Sequence, residues 1–116
     1  MKLDALERTL LFDYYGELLT EKQRTFFDLH YHQDLSLSEI AQEAGVSRQG
    51  IHDAVLRAEQ ALQEMEDKIG AVARDRRCRE AADQIAAAAS RLLLCEDAEV
   101  RLLARQILAA ADTIKE

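Results

Sequence analysis

Residues 36–58 read SLSEIAQEAGVSRQGIHDAVLRA, and this run decides the fold. Ser36 and Glu39 stand three apart at its head, the spacing at which a hydroxyl and a carboxylate reciprocally satisfy the first free amides of a helix. Leu37, Ile40, Ala41 and Ala44 follow at helical steps, and Gly45 then supplies the left-handed residue that ends a helix without steric cost. Val46 is placed to fill the gap between helices, and Ser47 caps a new helix that starts at Arg48. A short helix, a glycine turn and a second capped helix together predict a helix-turn-helix.

Upstream, Leu3, Leu6, Leu10, Leu11, Tyr14, Tyr15 and Leu18 recur at three- and four-residue steps, predicting a first amphipathic helix that ends near Leu19. Thr20 and Gln23 form a second capping pair, opening a helix that runs to about Tyr31. Phe26, Phe27, Leu29 and Tyr31 place the tightest core in this half.

Downstream, Ile51, Val55, Ala58, Leu62, Met65, Ile69 and Val72 alternate steps of four and three, a heptad seam. The helix that begins at Arg48 is therefore expected to continue past the motif to Val72, weakened but not ended by Gly70, with its far part seeking a partner helix. Ala81–Ala89 reads as helix, and Asp97 caps a last helix carrying Val100, Leu103, Ile107, Ala110 and Ile114. The expected organisation is a helix-turn-helix domain over residues 1–70 and a C-terminal helical hairpin over 71–116, the latter serving dimerisation.

The 116 residues include no proline and four glycines, which favours long helices over a cleft-bearing enzyme scaffold. No apolar stretch approaches the roughly 20 residues that cross a bilayer, and Asp4 and Glu7 interrupt any signal-like run, so no membrane association and a cytoplasmic location are expected. Cys78 and Cys95 are isolated and should pack as small apolar side chains. His30 and His32 lie two apart, the wrong spacing for chelation on one helix face, and His52 has only adjacent Asp53 as a carboxylate neighbour. No phosphate loop or nucleophile elbow is present, so neither metal, cofactor nor catalysis is expected.

In a helix-turn-helix the second helix turns its N-terminal outward side chains to base edges. Ile51 and Val55 point inward by spacing, which leaves Arg48, Gln49, His52 and Asp53 outward, with Arg57 one turn further. Arginine can read guanine, glutamine adenine, and aspartate can accept from cytosine N4. Asp53 also repels phosphate, so it argues either for a base contact or against DNA. The net charge of −7 is opposed to phosphate binding too, and all of it lies before Gly70, where seven basic residues meet fourteen acidic ones. The cluster Arg74, Arg76, Arg77 and Arg79 could touch phosphate or an acidic protein, although such runs are more often solvated helix faces.

From Leu10 to Gly70 the chain resembles the YlxM-type helix-turn-helix family of Gram-positive bacteria, itself similar to region 4 of sigma-70 factors, most clearly in the runs LFDYY, LLTEKQ, DLSLSEIA and VSRQGIHD. The resemblance implies an all-α protein: a sigma-70 region 4-like helix-turn-helix with a long second motif helix and a C-terminal helical extension. It implies a DNA-binding regulator, without catalysis, whose gene neighbours that of the signal recognition particle GTPase. Carried onto this sequence, it places Arg48, Gln49, His52 and Asp53 at the base-facing positions, Ser47 at the cap, and Lys22, Gln23 and Arg24 near phosphate. The Ala-rich C-terminal third departs from the family pattern. Two functions follow as expectations: a homodimeric DNA reader, or an interaction module that turns its acidic surface to a protein such as that GTPase.

Overall fold

A computed structural model describes residues 3–115. The described residues form six α-helices: α1 (Ala5–Tyr15), α2 (Glu21–Tyr31), α3 (Leu37–Ala44), α4 (Arg48–Ile69), α5 (Ala71–Leu92) and α6 (Ala98–Lys115). It divides into two compact units, with the boundary between Val72 and Ala73.

The helix starts follow the cap chemistry. Asp4 accepts from the Glu7 amide at 2.8 Å, and the capping boxes Thr20/Gln23 and Ser36/Glu39 are both closed. Ser47 accepts from the Gly50 amide at 3.0 Å and opens α4. Gly45, at φ 71°, ends α3 in the left-handed conformation. α1 stops earlier than its apolar pattern predicts, because residues 16–18 tighten into a 3₁₀ turn after Tyr15. The side chains of Leu6 and Leu18 stay exposed.

In the first unit α4 is the central element. Ala58 and Leu62 enter one core cluster with Leu3, Leu11, Tyr15 and Phe27; Ile51 and Val55 enter another with Ile40 and Ala41. Phe12 stacks on Phe27 with ring centroids 5.1 Å apart, tying α1 to α2. The seam from Ile51 to Leu62 is thus filled by helices of the same chain, and Met65, in the far part expected to seek a partner helix, packs against the same core.

The expected continuation of α4 to Val72 is also overturned. Gly70 adopts φ 69° and closes α4, and α5 starts immediately after it. Val72 nevertheless packs against the first unit's core, together with Ala71 and Met65. The Tyr15 hydroxyl accepts from the Ala71 amide at 3.0 Å, and Glu66 Oε1 accepts from the Val72 amide at 3.1 Å, so the first amides of α5 are satisfied by side chains of α1 and α4. Val46 is 47% exposed and does not fill the interhelical gap.

In the second unit α5 and α6 form a hairpin across a short turn, in which Arg101 Nη1 donates to the Cys95 and Glu96 carbonyls at 2.8 and 2.7 Å. Asp97 caps α6, accepting from the Glu99 amide at 2.9 Å. Lys115 and Asp83 pair at 2.6 Å between the two helices. Among the described residues of this unit the buried ones are all alanines: Ala82 and Ala89 on α5, Ala104 and Ala111 on α6. Cys78 and Cys95 are both exposed, which corrects their assignment as packed side chains. Among the described residues no helix is long and apolar enough to cross a membrane.

Candidate nucleic-acid interface

The interface candidate is built from the first two turns of α4. Ile51 and Val55 are buried and lock α4 to α3, so Arg48, Gln49, His52 and Asp53 are turned outward together, and all four are exposed. Arg57 is exposed one turn further on. Ser47 holds the helix start through its bond to Gly50, which occupies its side-chain oxygen.

The outward side chains are not independent. Gln49 Nε2 donates to Asp53 Oδ1 at 3.0 Å, and the same oxygen lies 3.6 Å from His52 Nδ1. One amide hydrogen of Gln49 is spent on Asp53, leaving its other hydrogen and its carbonyl for a base edge. Asp53 keeps its second oxygen as an acceptor, the group that cytosine N4 requires. A protonated His52 would offset the carboxylate's repulsion of phosphate.

The proposed phosphate contacts at the start of α2 divide. Lys22 and Arg24 are exposed. Gln23 instead donates its backbone amide to Thr20 and accepts the Thr20 amide at 3.1 Å, so its side-chain oxygen is committed to the cap. Arg24 also borders a cavity of about 350 Å³ with Phe12, Thr25 and Asp28. At the end of α2, His32 and Gln33 donate to Asp28 at 2.9 Å each, and these bonds hold the Asp28 carboxyl below the usual carboxylate range.

Two residues absent from the sequence reading lie behind this face. Glu59, on α4, is 6% exposed, and its Oε1 has no hydrogen-bond partner among the described residues. Arg8 Nη1 stands 3.7 Å from that oxygen and donates to the Leu3 carbonyl at 2.6 Å, while its guanidinium lies over the Tyr31 ring, 4.2 Å from the centroid. Burial, then the neighbouring Glu59, pushes the Tyr31 hydroxyl above its usual range. These groups line a cavity of about 300 Å³ that reaches His30, His52 and Leu56. Arg8 and Glu59 are 51 residues apart, so no local spacing could have joined them. Among the described residues no group of three or more metal-binding side chains is found.

A family model described as "Putative helix-turn-helix protein, YlxM / p13 like" matches residues 3–100. The chain belongs to this family. Curated members of this UPF0122 family include a protein of Desulforamulus reducens, 54% identical over 65 residues that make up 56% of each chain. Another, from Caldanaerobacter subterraneus, is 50% identical over 72 residues, 62% of each. A third, from Thermoanaerobacter sp., is 45% identical over 82 residues, 71% of this chain and 70% of its own. The chain spans 56% to 62% of the length of the first two relatives. The matched residues 3–100 include the whole of the helix-turn-helix, α3 to α4.

Proposed function

We propose that the protein is a cytoplasmic DNA-binding regulator that seats the N-terminal turns of α4 in the major groove. The observation that carries this reading is the exposed outward row Arg48, Gln49, His52 and Asp53 above the buried pair Ile51 and Val55. In this role Arg48 and Gln49 read base edges, Asp53 accepts from cytosine, and Arg57, Lys22 and Arg24 lie toward phosphate, with Ser47 fixing the helix start. A homodimer would present two such helices to a two-fold symmetric site. The test is selection from random duplex DNA with the whole protein, followed by a salt titration on the winning sequence. Enrichment of one sequence, with binding that falls steeply with salt and on Arg48→Ala, supports the reading. No binding to any duplex at low salt overturns it.

A second reading is favoured by the acidic balance of the first unit, in which fourteen acidic residues outnumber seven basic ones. On it the helix-turn-helix is an interaction module for a basic protein surface, and the signal recognition particle GTPase is the partner suggested by the YlxM resemblance. Titration of the purified GTPase into this protein decides it: salt-sensitive binding supports the module, and no binding at low salt removes that partner.

A further inference from the structure

The hairpin of α5 and α6 has one apolar side that nothing in the second unit covers. Its buried alanines repeat at seven-residue steps, Ala82 to Ala89 and Ala104 to Ala111, so they define the line along which the two helices meet. Three residues beyond Ala82 and Ala89, and likewise beyond Ala104 and Ala111, stand Ile85 and Leu92 on α5 and Ile107 and Ile114 on α6. In an antiparallel pair, residues offset by the same step from the contact line fall on the same side of both helices. These four are 39–50% exposed, as is Leu103 beside them. Between them the same side carries only Cys78, Ala81, Ala88, Val100 and Ala110. The Lys115–Asp83 ion pair lies on the opposite side by the same geometry.

This apolar side ends in charges of opposite sign. Arg74, seven residues before Ala81, stands at the open end of the hairpin; Glu96, in the turn just before α6, stands at the other end. From Ala73 onward the chain has eight basic and eight acidic residues, so two copies meet without net repulsion. The face is about 30 Å long by about 20 Å wide from helix dimensions, a footprint of roughly 600 Å², near the ~800 Å² per partner of a standard interface.

We propose that this face is covered by the same face of a second copy, turned end for end, so that Arg74 of each protomer meets Glu96 of the other in an antiparallel four-helix arrangement. The two-fold axis makes one surface its own complement. The opposite end charges favour the antiparallel pairing over a parallel one, in which like charges would meet. The inference rests on α5 and α6 alone and stands or falls independently of what α4 binds.

The experiment is sedimentation equilibrium of the full chain with four variants, helix content being followed by circular dichroism. The wild type is expected at twice 13.1 kDa, and Leu103→Glu, at a half-exposed position, at the monomer mass with its helices retained. Arg74→Glu and Glu96→Lys each weaken self-association about tenfold, and an equimolar mixture of the two restores it. A mixture of Cys78→Ser and Cys95→Ser is joined by a short bis-maleimide through one cysteine of each, whereas Cys95→Ser alone is not. A wild-type monomer at about 50 μM, well above a micromolar dissociation constant, a dimer indifferent to the charge variants, or efficient Cys78 to Cys78 linkage would each overturn the proposal.

Discussion

Gln49 Nε2 donates to Asp53 Oδ1 at 3.0 Å across one turn of α4, so the residue best suited to read adenine is oriented by the residue least suited to approach phosphate. The pair converts an isolated negative charge into part of a fixed donor and acceptor pattern. Asp53→Asn removes the charge and keeps an acceptor for Gln49. On the DNA-reading proposal, nonspecific binding tightens several-fold at low salt while preference for the selected sequence falls by about 1–3 kcal/mol. Fluorescence anisotropy with selected and scrambled duplexes measures both; unchanged preference would remove Asp53 from base recognition.

The Arg8–Glu59 pair yields a ranking of stabilities. Arg8→Met leaves a buried carboxylate without its neighbouring cation and costs about 2–4 kcal/mol, at the lower part of the usual range because the 3.7 Å separation is long. Glu59→Gln loses less, since Arg8 is only part-buried and keeps its bond to the Leu3 carbonyl and its contact with the Tyr31 ring. Urea unfolding of the two variants checks the order, and a costlier Glu59→Gln contradicts it.

How much of this was legible in the sequence depends on distance along the chain. The caps at Thr20, Ser36 and Ser47 and the turn at Gly45 are chemistry between residues three to five apart, and each is found where the spacing predicts it. The end of α4 was not legible for a specific reason. Val72 continues the apolar period and reaches the same core, yet it does so from α5, because periodicity records which side faces the core and not whether the backbone is continuous. The outward row of α4 follows from Ile51 and Val55, but the Gln49–Asp53 bond and the Arg8–Glu59 approach depend on rotamers and on tertiary packing.

Tyr15 gives a pH signature on the alkaline side. Its hydroxyl donates to Glu66 Oε1 at 2.6 Å, and burial followed by this bond raises its pKa above the usual value. Folding then binds the proton more tightly, so the stabilisation is complete below about pH 10 and is lost as pH rises through the raised folded value. Tyr15→Phe costs about 1–3 kcal/mol at neutral pH by leaving the Ala71 amide unpaired. Urea melts between pH 7 and about 11 should show the wild-type advantage shrinking toward the alkaline limit; a constant advantage refutes the linkage.

Asp28 gives the opposite signature. Its carboxyl is held low by His32 and Gln33, so its contribution is present above about pH 4 and disappears as pH falls through the lowered folded value. Gln33→Ala removes one of the two bonds and should make the acid limb of the stability profile less steep, with little change above pH 7. An acid limb identical to the wild type would show that the bond does not persist in solution.

Gly45 and Gly70 make a matched pair, both left-handed and both open around the missing Cβ. Alanine at either meets backbone strain and no clash, costing about 1–2 kcal/mol. Thermal unfolding of the two variants should give similar losses, and a loss at Gly70 alone would mean that the α4–α5 junction carries strain beyond its φ angle.

α4 keeps two functions on one rod without mixing them. Ile51, Val55, Ala58 and Leu62 are committed to the interior, while Arg48, Gln49, His52, Asp53 and Arg57 contribute nothing to it. Substitutions on the outer row are therefore nearly free in folding energy, so on the DNA-reading proposal the recognised sequence can change one residue at a time without passing through an unfolded intermediate.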